Sequence, residues 1–335
     1  MEASSFSPLR SRLHMELLYL SYQDISSLGI PLSDIIRVVE DAFRQKGEGL
    51  AEMPPKPGIH PRPDSFIHAM PAYLKGSDAA GLKWVSGYPE NPKRGLPYIT
   101  GLFILNDPDT GVPIAVMDAM WITAYRTAAA TAVAAKYLAR EDSEVLAVLG
   151  CGTQGKTNTL MLREVLPIKT VWAYDIDPKA LDRYEEFVRE RIDVEIIRAS
   201  SPREAVEHAD IIVTAGPILK NPNPVIEADW VREGATAVPL DFDSYWKSSA
   251  IASMDKFYTD DVDQLKYYIE EGWIRPIERI DGDLGEVVTG RKPGREGDHE
   301  RIMSMNLGLA IEDVATGKLI YDLAMEKGVG RKLPL

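Results

Sequence analysis

The stretch Val145-Leu-Ala-Val-Leu-Gly-Cys-Gly-Thr-Gln-Gly155 decides the fold. Its five apolar residues predict a buried strand, and the residues that follow predict a helix. Gly150 permits a tight turn, Gly152 lets the backbone approach a pyrophosphate, and Gly155 lets the helix pack closely on the strand. Free N–H groups at the start of that helix favour bound phosphate. The stretch therefore predicts a dinucleotide site, and an α/β domain with an empty glycine turn is the alternative.

An acidic residue follows at the spacing that such a site needs. Asp175 ends the next predicted strand, 20 residues beyond Gly155. Its carboxylate accepts hydrogen bonds from ribose hydroxyls and repels a 2′-phosphate, and no arginine follows it, so we predict NAD rather than NADP. Further contacts to the cofactor are predicted for Thr153, Gln154, Ile176, Thr214, Ala215 and Asn306.

Strand and helix patterns alternate after residue 140, which is typical of a parallel sheet with helices on both faces, a Rossmann doubly wound domain. Strands are predicted at 145–150, 170–175, 194–199 and 210–215, with more near 235–240 and 256–260. Helices are predicted at 155–166, 178–190 and 202–208. A last helix, at about 303–327, is expected to leave this domain and return to the first.

The first part of the chain has a different pattern. We predict a strand at 16–20, a helix after Ser33, an extended segment at 54–63 and an alanine-rich helix from about residue 122. Short apolar segments bounded by turn residues predict a mostly antiparallel sheet; they are 64–73, 80–87, 98–106 and 112–118. We therefore predict two domains: 1–124 with 313–335 for substrate binding and dimerisation, and 125–312 for NAD.

Composition excludes several classes of function. The chain has 335 residues and a formal net charge of −13, which disfavours binding to nucleic acid or anionic membranes. A single cysteine, Cys151, and five scattered histidines predict no disulfide and no metal site. No apolar run is long enough to span a bilayer, and residues 1–14 resemble a ragged extension rather than a signal peptide, so we expect a cytoplasmic protein.

Several stretches together resemble the ornithine cyclodeaminase/mu-crystallin family. They are MPPKPGIHPRPDSFIHAMPAYL (53–74), AAGLKWVSGYPENPKRGLPYITGLFILNDPDTGVPIAVMD (79–118), ITAYRTAAATAVAAKYLAR (122–140), VLGCGTQG (148–155) and GDLGEVVTGRKPGR (282–295). The resemblance implies an amino or imino acid held against the nicotinamide, and a homodimer joined through the antiparallel sheets.

The resemblance also implies roles for individual residues. Lys83 and Arg126 match the lysine and arginine that hold the substrate carboxylate, and a guanidinium suits a planar carboxylate. Alternation along the strand places Lys83 and Val85 on one face. Thr127, near the start of the helix that carries Arg126, is implied to bond the cofactor pyrophosphate. An exposed strand lysine and a solvated helix arginine are the alternatives for these positions taken singly.

The group that handles the proton is implied to be an aspartate after the fifth strand of the nucleotide domain. Ungapped counting from Gly234 selects Asp243, and Asp241 lies two residues earlier. A loop aspartate that caps a turn is the alternative interpretation.

Two positions depart from the family. Lys56 replaces the usual arginine after Met-Pro-Pro, so a compact ammonium replaces a planar guanidinium that can make two parallel hydrogen bonds to a carboxylate. His68 stands where ornithine-cyclising members carry a glutamate, which disfavours a cationic δ-amino group. His68 either lines the pocket or is a hydrogen-bonded residue of the sheet.

Three functions follow from these observations. The first is an NAD-dependent imine reductase or amino-acid dehydrogenase, in which Lys56, Lys83, His68 and Arg126 bind substrate. Its catalytic candidates are Asp243, Asp241 and Lys83, and Arg126 is also expected to contact the cofactor. The second is an ornithine or lysine cyclodeaminase, a lyase with catalytic NAD, against which His68 counts. The third is a non-catalytic NAD(P)H-binding protein like mu-crystallin, against which the retained cations and carboxylates count.

Overall fold

The computed structural model describes residues 15–335, so the interpretation of residues 1–14 lies outside the described residues. The first part of the chain forms β1 (Glu16–Leu20), α1 (Tyr22–Ser27), α2 (Leu32–Gly47), β2 (Ala51–Glu52), β3 (Gly58–Ile59), β4 (Phe66–Leu74), β5 (Ala79–Gly87), β6 (Ile99–Asn106), β7 (Pro113–Asp118) and α3 (Ala119–Leu138). The second part begins with β8 (Val145–Leu149), α4 (Thr153–Val165), β9 (Thr170–Tyr174), α5 (Pro178–Arg189), β10 (Glu195–Arg198), α6 (Pro202–Val206) and β11 (Ile211–Thr214). It continues through β12 (Thr236–Pro239), α7 (Ser248–Ala252), β13 (Lys256–Thr259), α8 (Val262–Glu270), β14 (Gly282–Asp283), α9 (Leu284–Val288), β15 (Ile302–Met305), α10 (Ala310–Lys327) and β16 (Arg331–Pro334).

The first sheet is mixed and mostly antiparallel. Strands β4, β5, β6 and β7 pair antiparallel in sequence order, as predicted, because short connections join neighbours and the longest, between β5 and β6, spans residues 88–98. The turn from β6 to β7 closes between Asp107 and Val112, with Gly111 at φ +74°. Strand β1 extends the sheet by pairing parallel to β7, and β16, which the sequence analysis missed, pairs antiparallel to β1.

The second sheet is entirely parallel, with the order β10-β9-β8-β11-β12-β15-β13-β14. The strand order reverses between β8 and β11, and a ligand binds outside the carboxyl ends of strands at such a switch point. This arrangement confirms the predicted fold class, a Rossmann sheet beside a mostly antiparallel one.

One prediction about the end of the chain is wrong. Residues 302–305 are strand β15, in the middle of the parallel sheet, and the last helix begins only at Ala310. All four residues of β15 are buried, and a short buried apolar run has no periodicity that separates strand from helix. Gly308 lies between the two elements with φ +81°, a backbone conformation that belongs to neither a strand nor a right-handed helix.

Helices α2, α3 and α10 fill the space between the sheets. Helix α10 packs on β4, β5 and β6, as expected for a helix that returns to the first domain, and α3 packs on α4 of the nucleotide domain. One apolar cluster includes Phe43 and Phe103 from the first part of the chain and Tyr258 and Leu284 from the second. The predicted boundaries at 124/125 and 312/313 fall inside α3 and α10, and we retain this division as a proposal. Within residues 15–335, no helix is both long and apolar enough to cross a membrane.

Candidate active site

The glycine loop leaves an open helix start at the carboxyl end of β8. Gly150 has φ +101°, and a Cβ there would lie 2.6 Å from the carbonyl oxygen of Ala215. A Cβ on Gly155 would lie 2.3 Å from the Gly150 carbonyl oxygen, whereas a Cβ on Gly152 would meet no atom within 4 Å. Gly152 is the N-cap of α4 and gives it no side-chain cap, so the first N–H groups of α4 face open space. This geometry fits the pyrophosphate of a dinucleotide.

Asp175 lies beside this loop, at the end of β9. One carboxylate oxygen accepts the Cys151 N–H at 2.7 Å, and the other accepts the Asp177 N–H at 2.9 Å. The next residue, Ile176, is an apolar side chain that is 85% exposed. Cys151 is buried, and burial raises the pKa of its thiol, which favours packing over reactivity.

The neighbouring strand ends carry further predicted cofactor residues. Thr214 ends β11; its hydroxyl donates to Asp241 at 2.7 Å and accepts from the Trp246 indole. Asn306 follows β15; its Oδ1 accepts from Ser304, and its Nδ2 is buried without a partner among residues 15–335. A buried donor without a partner is costly, so this amide favours a bound ligand. We call these strand ends and the glycine loop the nucleotide edge.

Three buried cations converge between the two sheets, and we call Lys56, Lys83 and Arg126 the cationic cradle. Lys83 is on the inner face of β5, where burial alternates as predicted, and it is fully buried. The Lys56 ammonium donates to the carbonyls of Leu307 and Gly308 at 2.6 and 3.1 Å. A Cβ on Gly308 would lie 2.6 Å from Arg126 Nη1, so this glycine lets the guanidinium enter.

Two adjacent acids at the start of α10, absent from the predicted site, neutralise part of this charge. Asp313 Oδ1 accepts from Lys83 Nζ at 2.7 Å and from Arg126 Nε at 2.8 Å. Glu312 Oε2 accepts from Arg126 Nη1 at 2.7 Å. The guanidinium fork implied for the substrate carboxylate is thus partly occupied by the protein's own acids. Asp313 Oδ2 and Glu312 Oε1 have no partner within the described part of the chain.

Burial governs ionisation in the cradle, because low polarity disfavours charge. It lowers the pKa of Lys83 to about 7, with help from the neighbouring Arg126, and that of Lys56 to about 8. It raises the pKa of Glu312 to about 8 and that of Asp260, which accepts the Gly308 N–H, to about 6. Although burial opposes its charge, Asp313 and Glu312 raise the pKa of Arg126, so the guanidinium keeps the positive charge that suits a carboxylate ligand.

His68 lies on the inner face of β4, opposite Val85 of β5. Its ring stacks on Phe66 with centroids 4.4 Å apart and makes no hydrogen bond to the described residues. Burial, followed by the charge of Lys56, lowers its pKa to about 3, so the imidazole is neutral at pH 7. These contacts favour the pocket-lining interpretation over that of a hydrogen-bonded sheet residue.

The two candidate aspartates occupy different environments after β12. Asp241 accepts one hydrogen bond at each oxygen, from Thr214 Oγ1 and from the Gly216 N–H. Burial raises its pKa to about 7. Asp243 is anchored through Oδ2 by the Arg275 guanidinium at 2.8 Å and backbone N–H at 3.1 Å, while its buried Oδ1 has no partner among residues 15–335.

Phe242, between these aspartates, has φ +60°, which is uncommon for a residue other than glycine. Its ring lies 4.9 Å from that of Tyr268, and the Lys56 ammonium lies 5.3 Å from the same Tyr268 ring. The aspartate loop and the cradle therefore share one aromatic neighbour.

Thr123 joins the cradle to the nucleotide edge. Its hydroxyl accepts from Lys83 at 3.3 Å, and its carbonyl accepts from Gln154, in the first turn of α4, at 3.2 Å. Thr127 lies one turn further along α3. Because α3 begins at Ala119, Thr127 is in the third turn rather than near the helix start, as the sequence analysis placed it.

Comparisons with known proteins agree with this geometry. The model of the ornithine cyclodeaminase/mu-crystallin family matches residues 17–328. The chain belongs to this family. An alanine dehydrogenase from Archaeoglobus fulgidus is 39% identical over 328 residues, which cover 95% of this chain and 98% of the relative.

Solved structures of this family superpose well on the fold. A Δ1-pyrroline-2-carboxylate reductase from Thermococcus litoralis, in complex with NADH and L-proline, has a TM-score of 0.84 at 36% identity and covers 94% of this chain and 99% of its own. An archaeal alanine dehydrogenase dimer with bound NAD has a TM-score of 0.86 at 37% identity. The match covers 96% of this chain and 100% of the alanine dehydrogenase chain. The predicted family and cofactor, NAD, are thereby confirmed.

Sequence reasoning missed Thr123, Arg275, Glu312 and Asp313. A usable signal existed only for the acids: two adjacent carboxylates interrupt the otherwise apolar or small stretch 307–315. Arg275 lies in a segment without any distinguishing pattern, and Thr123 lies in the quoted stretch 122–140, where nothing separates it from the neighbouring small residues.

Proposed function

We propose that this protein transfers a hydride between NAD and the α-carbon of a small amino or imino acid, as an imine reductase or amino-acid dehydrogenase. The bridge through Thr123 carries the proposal, because it holds the cationic cradle against the first turn of α4. A carboxylate in the cradle then lies beside the nucleotide edge. Relatives named as an alanine dehydrogenase and a Δ1-pyrroline-2-carboxylate reductase confirm the predicted class of function.

The nucleotide edge assigns cofactor contacts to this chain's residues. The backbone from Gly152 to Gln154 would bind the pyrophosphate, Asp175 the adenosine ribose and Asn306 Nδ2 the nicotinamide half, with Thr127 nearby on α3. NAD bound there supplies or accepts the hydride at its nicotinamide ring.

The cradle positions the substrate. Lys56, Lys83 and the remaining Nη2 of Arg126 hold the α-carboxylate, which fixes the α-carbon relative to the cofactor. The neutral His68 lines the same pocket and offers no charge to a cationic side chain.

Asp243 handles the proton at the substrate nitrogen. Arg275 fixes one carboxylate oxygen, and the unpartnered Oδ1 is left to accept an N–H of the amine or iminium. Asp241, which is fully buried and bonds Thr214 and Gly216 at the end of β11, shapes the nucleotide edge instead.

We further propose a homodimer in the cytoplasm. Trp84 and Leu102 are a cross-strand pair on the outer face of the antiparallel sheet and are 46% and 48% exposed. A large apolar pair on a sheet face is suited to burial by a second copy. The archaeal alanine dehydrogenase structure, which has the same fold, is a dimer.

An NADH assay tests the function. Purified protein is incubated with NADH, ammonia and pyruvate or glyoxylate, or with a cyclic imino acid, and absorbance at 340 nm is followed. We expect net NADH consumption. Formation of proline and ammonia from ornithine with catalytic NAD would instead identify a cyclodeaminase, and tight NADH binding without turnover would identify a binding protein.

Paired variants test the assignment of the proton-handling group. Asp243→Asn should lower kcat by about 100-fold or more and leave the KM for NADH within about twofold. Asp241→Asn should mainly raise the KM for NADH, because its bonds hold the Thr214–Gly216 strand end. The reverse pattern, with kcat lost only in Asp241→Asn, would assign the proton to Asp241.

A further inference from the structure

A cleft of about 480 Å³ opens between two segments of the chain that are distant in sequence. Residues 60–65, which precede β4, form one wall. Lys220, Asn221, Glu271 and Trp273, from the loops after β11 and α8, form the other. We call this space the side-chain cleft.

The side-chain cleft continues the substrate pocket outward. The ring of His60 lies 5.1 Å from that of Trp273 and 6.1 Å from that of His68. His68 and Lys83 lie on the inner faces of the paired strands β4 and β5, two residues apart in register. A ligand that is held at Lys83 and extends along β4 would therefore pass His68 and then His60 toward this cleft.

Hydrogen-bond donors dominate the lining. The Lys220 ammonium lies 5.4 Å above the Trp273 ring, and the Arg62 guanidinium donates only to the neighbouring Pro61 carbonyl. Neither cation has a carboxylate within 4 Å among residues 15–335. The Asn221 amide and the Trp273 indole N–H add two more donors without protein acceptors in that range.

Two acids also line the cleft. Asp64, held at φ +52°, accepts the backbone N–H of Lys220 at 3.1 Å through Oδ1, a bond that orients its carboxylate and leaves its charge in place. Glu271 makes no side-chain hydrogen bond among the described residues. The formal charges of the lining therefore balance, and the two cations are distinguished by having no carboxylate partner within the described part of the chain.

We propose that the side-chain cleft recognises a second carboxylate of the substrate, carried beyond the α-carbon on its side chain or on its nitrogen substituent. Lys220 and Arg62 bind this carboxylate, and Trp273 and His60 cover the connecting methylene groups. The inference rests on the proposed function and specifies its substrate class. The protein then prefers dicarboxylic imino acids to neutral ones.

Length-matched substrates test the preference. In NADH and excess ammonia, kcat/KM is compared between oxaloacetate and 2-oxobutyrate, between 2-oxoglutarate and 2-oxopentanoate, and between 2-oxoadipate and 2-oxohexanoate. A parallel arm supplies pyruvate with alanine or ethylamine, which places the second carboxylate on nitrogen. We expect the kcat/KM of at least one diacid to exceed that of its neutral partner by about fivefold, which corresponds to about 1 kcal/mol for a partly exposed ion pair.

Variants locate the preference in the cleft. Lys220→Met retains packing on Trp273 but removes the charge. It should reduce the diacid preference to about twofold, and the kcat/KM for the neutral substrate should stay within about twofold of the parent value. Lys220→Glu should reverse the preference. Glu271→Gln should preserve or increase it, and Lys266→Met, an exposed lysine of α8 outside the cleft, serves as the matched control.

The two proposals fail differently. Equal rates for diacids and neutral acids, or a preference that survives in Lys220→Glu, would overturn the second carboxylate site and leave the proposed function intact. Absence of NADH oxidation with every substrate, in protein that still binds NADH, would overturn both.

Discussion

The nucleotide edge and the cationic cradle meet at Thr123 but are built in opposite ways. The glycine loop and Asp175 come from one strand–helix–strand unit of the chain, and their conformations follow from local sterics. The cradle joins residues far apart: Lys83 and Asp313 are separated by 230 positions and Lys56 and Leu307 by 251. We therefore expect that binding of the cofactor and positioning of the substrate can be altered separately in this chain.

The largest expected effect separates the two regions through Lys83. Lys83→Met should lower kcat/KM by about 100-fold or more, because it removes a cradle charge and leaves Asp313 buried without that partner. NADH affinity, measured by fluorescence titration, should change by less than about twofold. Lys75→Met, an exposed lysine just after β4, is the matched control, and turnover within tenfold of the parent would place the substrate elsewhere.

Two glycine variants test the nucleotide edge, one through NADH binding and the other through stability. Gly152→Ala should keep the stability of the parent, because its Cβ meets no protein atom, but weaken NADH binding by about tenfold, because it enters the space of the pyrophosphate. Gly155→Ala should lower the free energy of unfolding by about 2–3 kcal/mol, because its Cβ lies against the Gly150 carbonyl. Urea denaturation and NADH titration measure both, and unchanged NADH binding in Gly152→Ala would contradict the assigned position of the phosphates.

The smallest expected effect is a pH dependence of the KM for the 2-oxo acid, which tests the role of Lys56 in the cradle. Lys56 carries its charge below its pKa of about 8 and loses it above, so the KM for the 2-oxo acid should rise several-fold between pH 7 and pH 9. Lys56→Arg, which restores the residue usual in the family, keeps its charge throughout and should flatten the part of this rise above pH 8. The measurement holds the concentration of free-base ammonia constant. An equal rise in the variant would show that Lys56 does not contact the carboxylate.

Correct predictions came from patterns that act over a few residues. Alternating burial in β5 places Lys83 inward, and the spacing from Gly150 to Asp175 specifies the nucleotide edge. Ranking Asp243 above Asp241 by counting alone had no physical basis until Arg275 and Thr214 were seen to bond different carboxylate oxygens. Strand β15 was mistaken for helix because both of its faces are buried. Its residues therefore do not alternate between apolar and polar, which is the pattern that usually identifies a strand.

The sequence by itself determined the glycine turn, the succession of parallel strands, the antiparallel sheet and the cations facing inward, because glycine sterics and side-chain periodicity are properties of neighbouring residues. Tertiary structure alone decided that Glu312 and Asp313 bond Lys83 and Arg126, that Arg275 anchors Asp243, and that a cleft forms between residues 60–65 and the loops after β11 and α8. Those features depend on which distant segments share a low-polarity interior, where each buried charge must be paired.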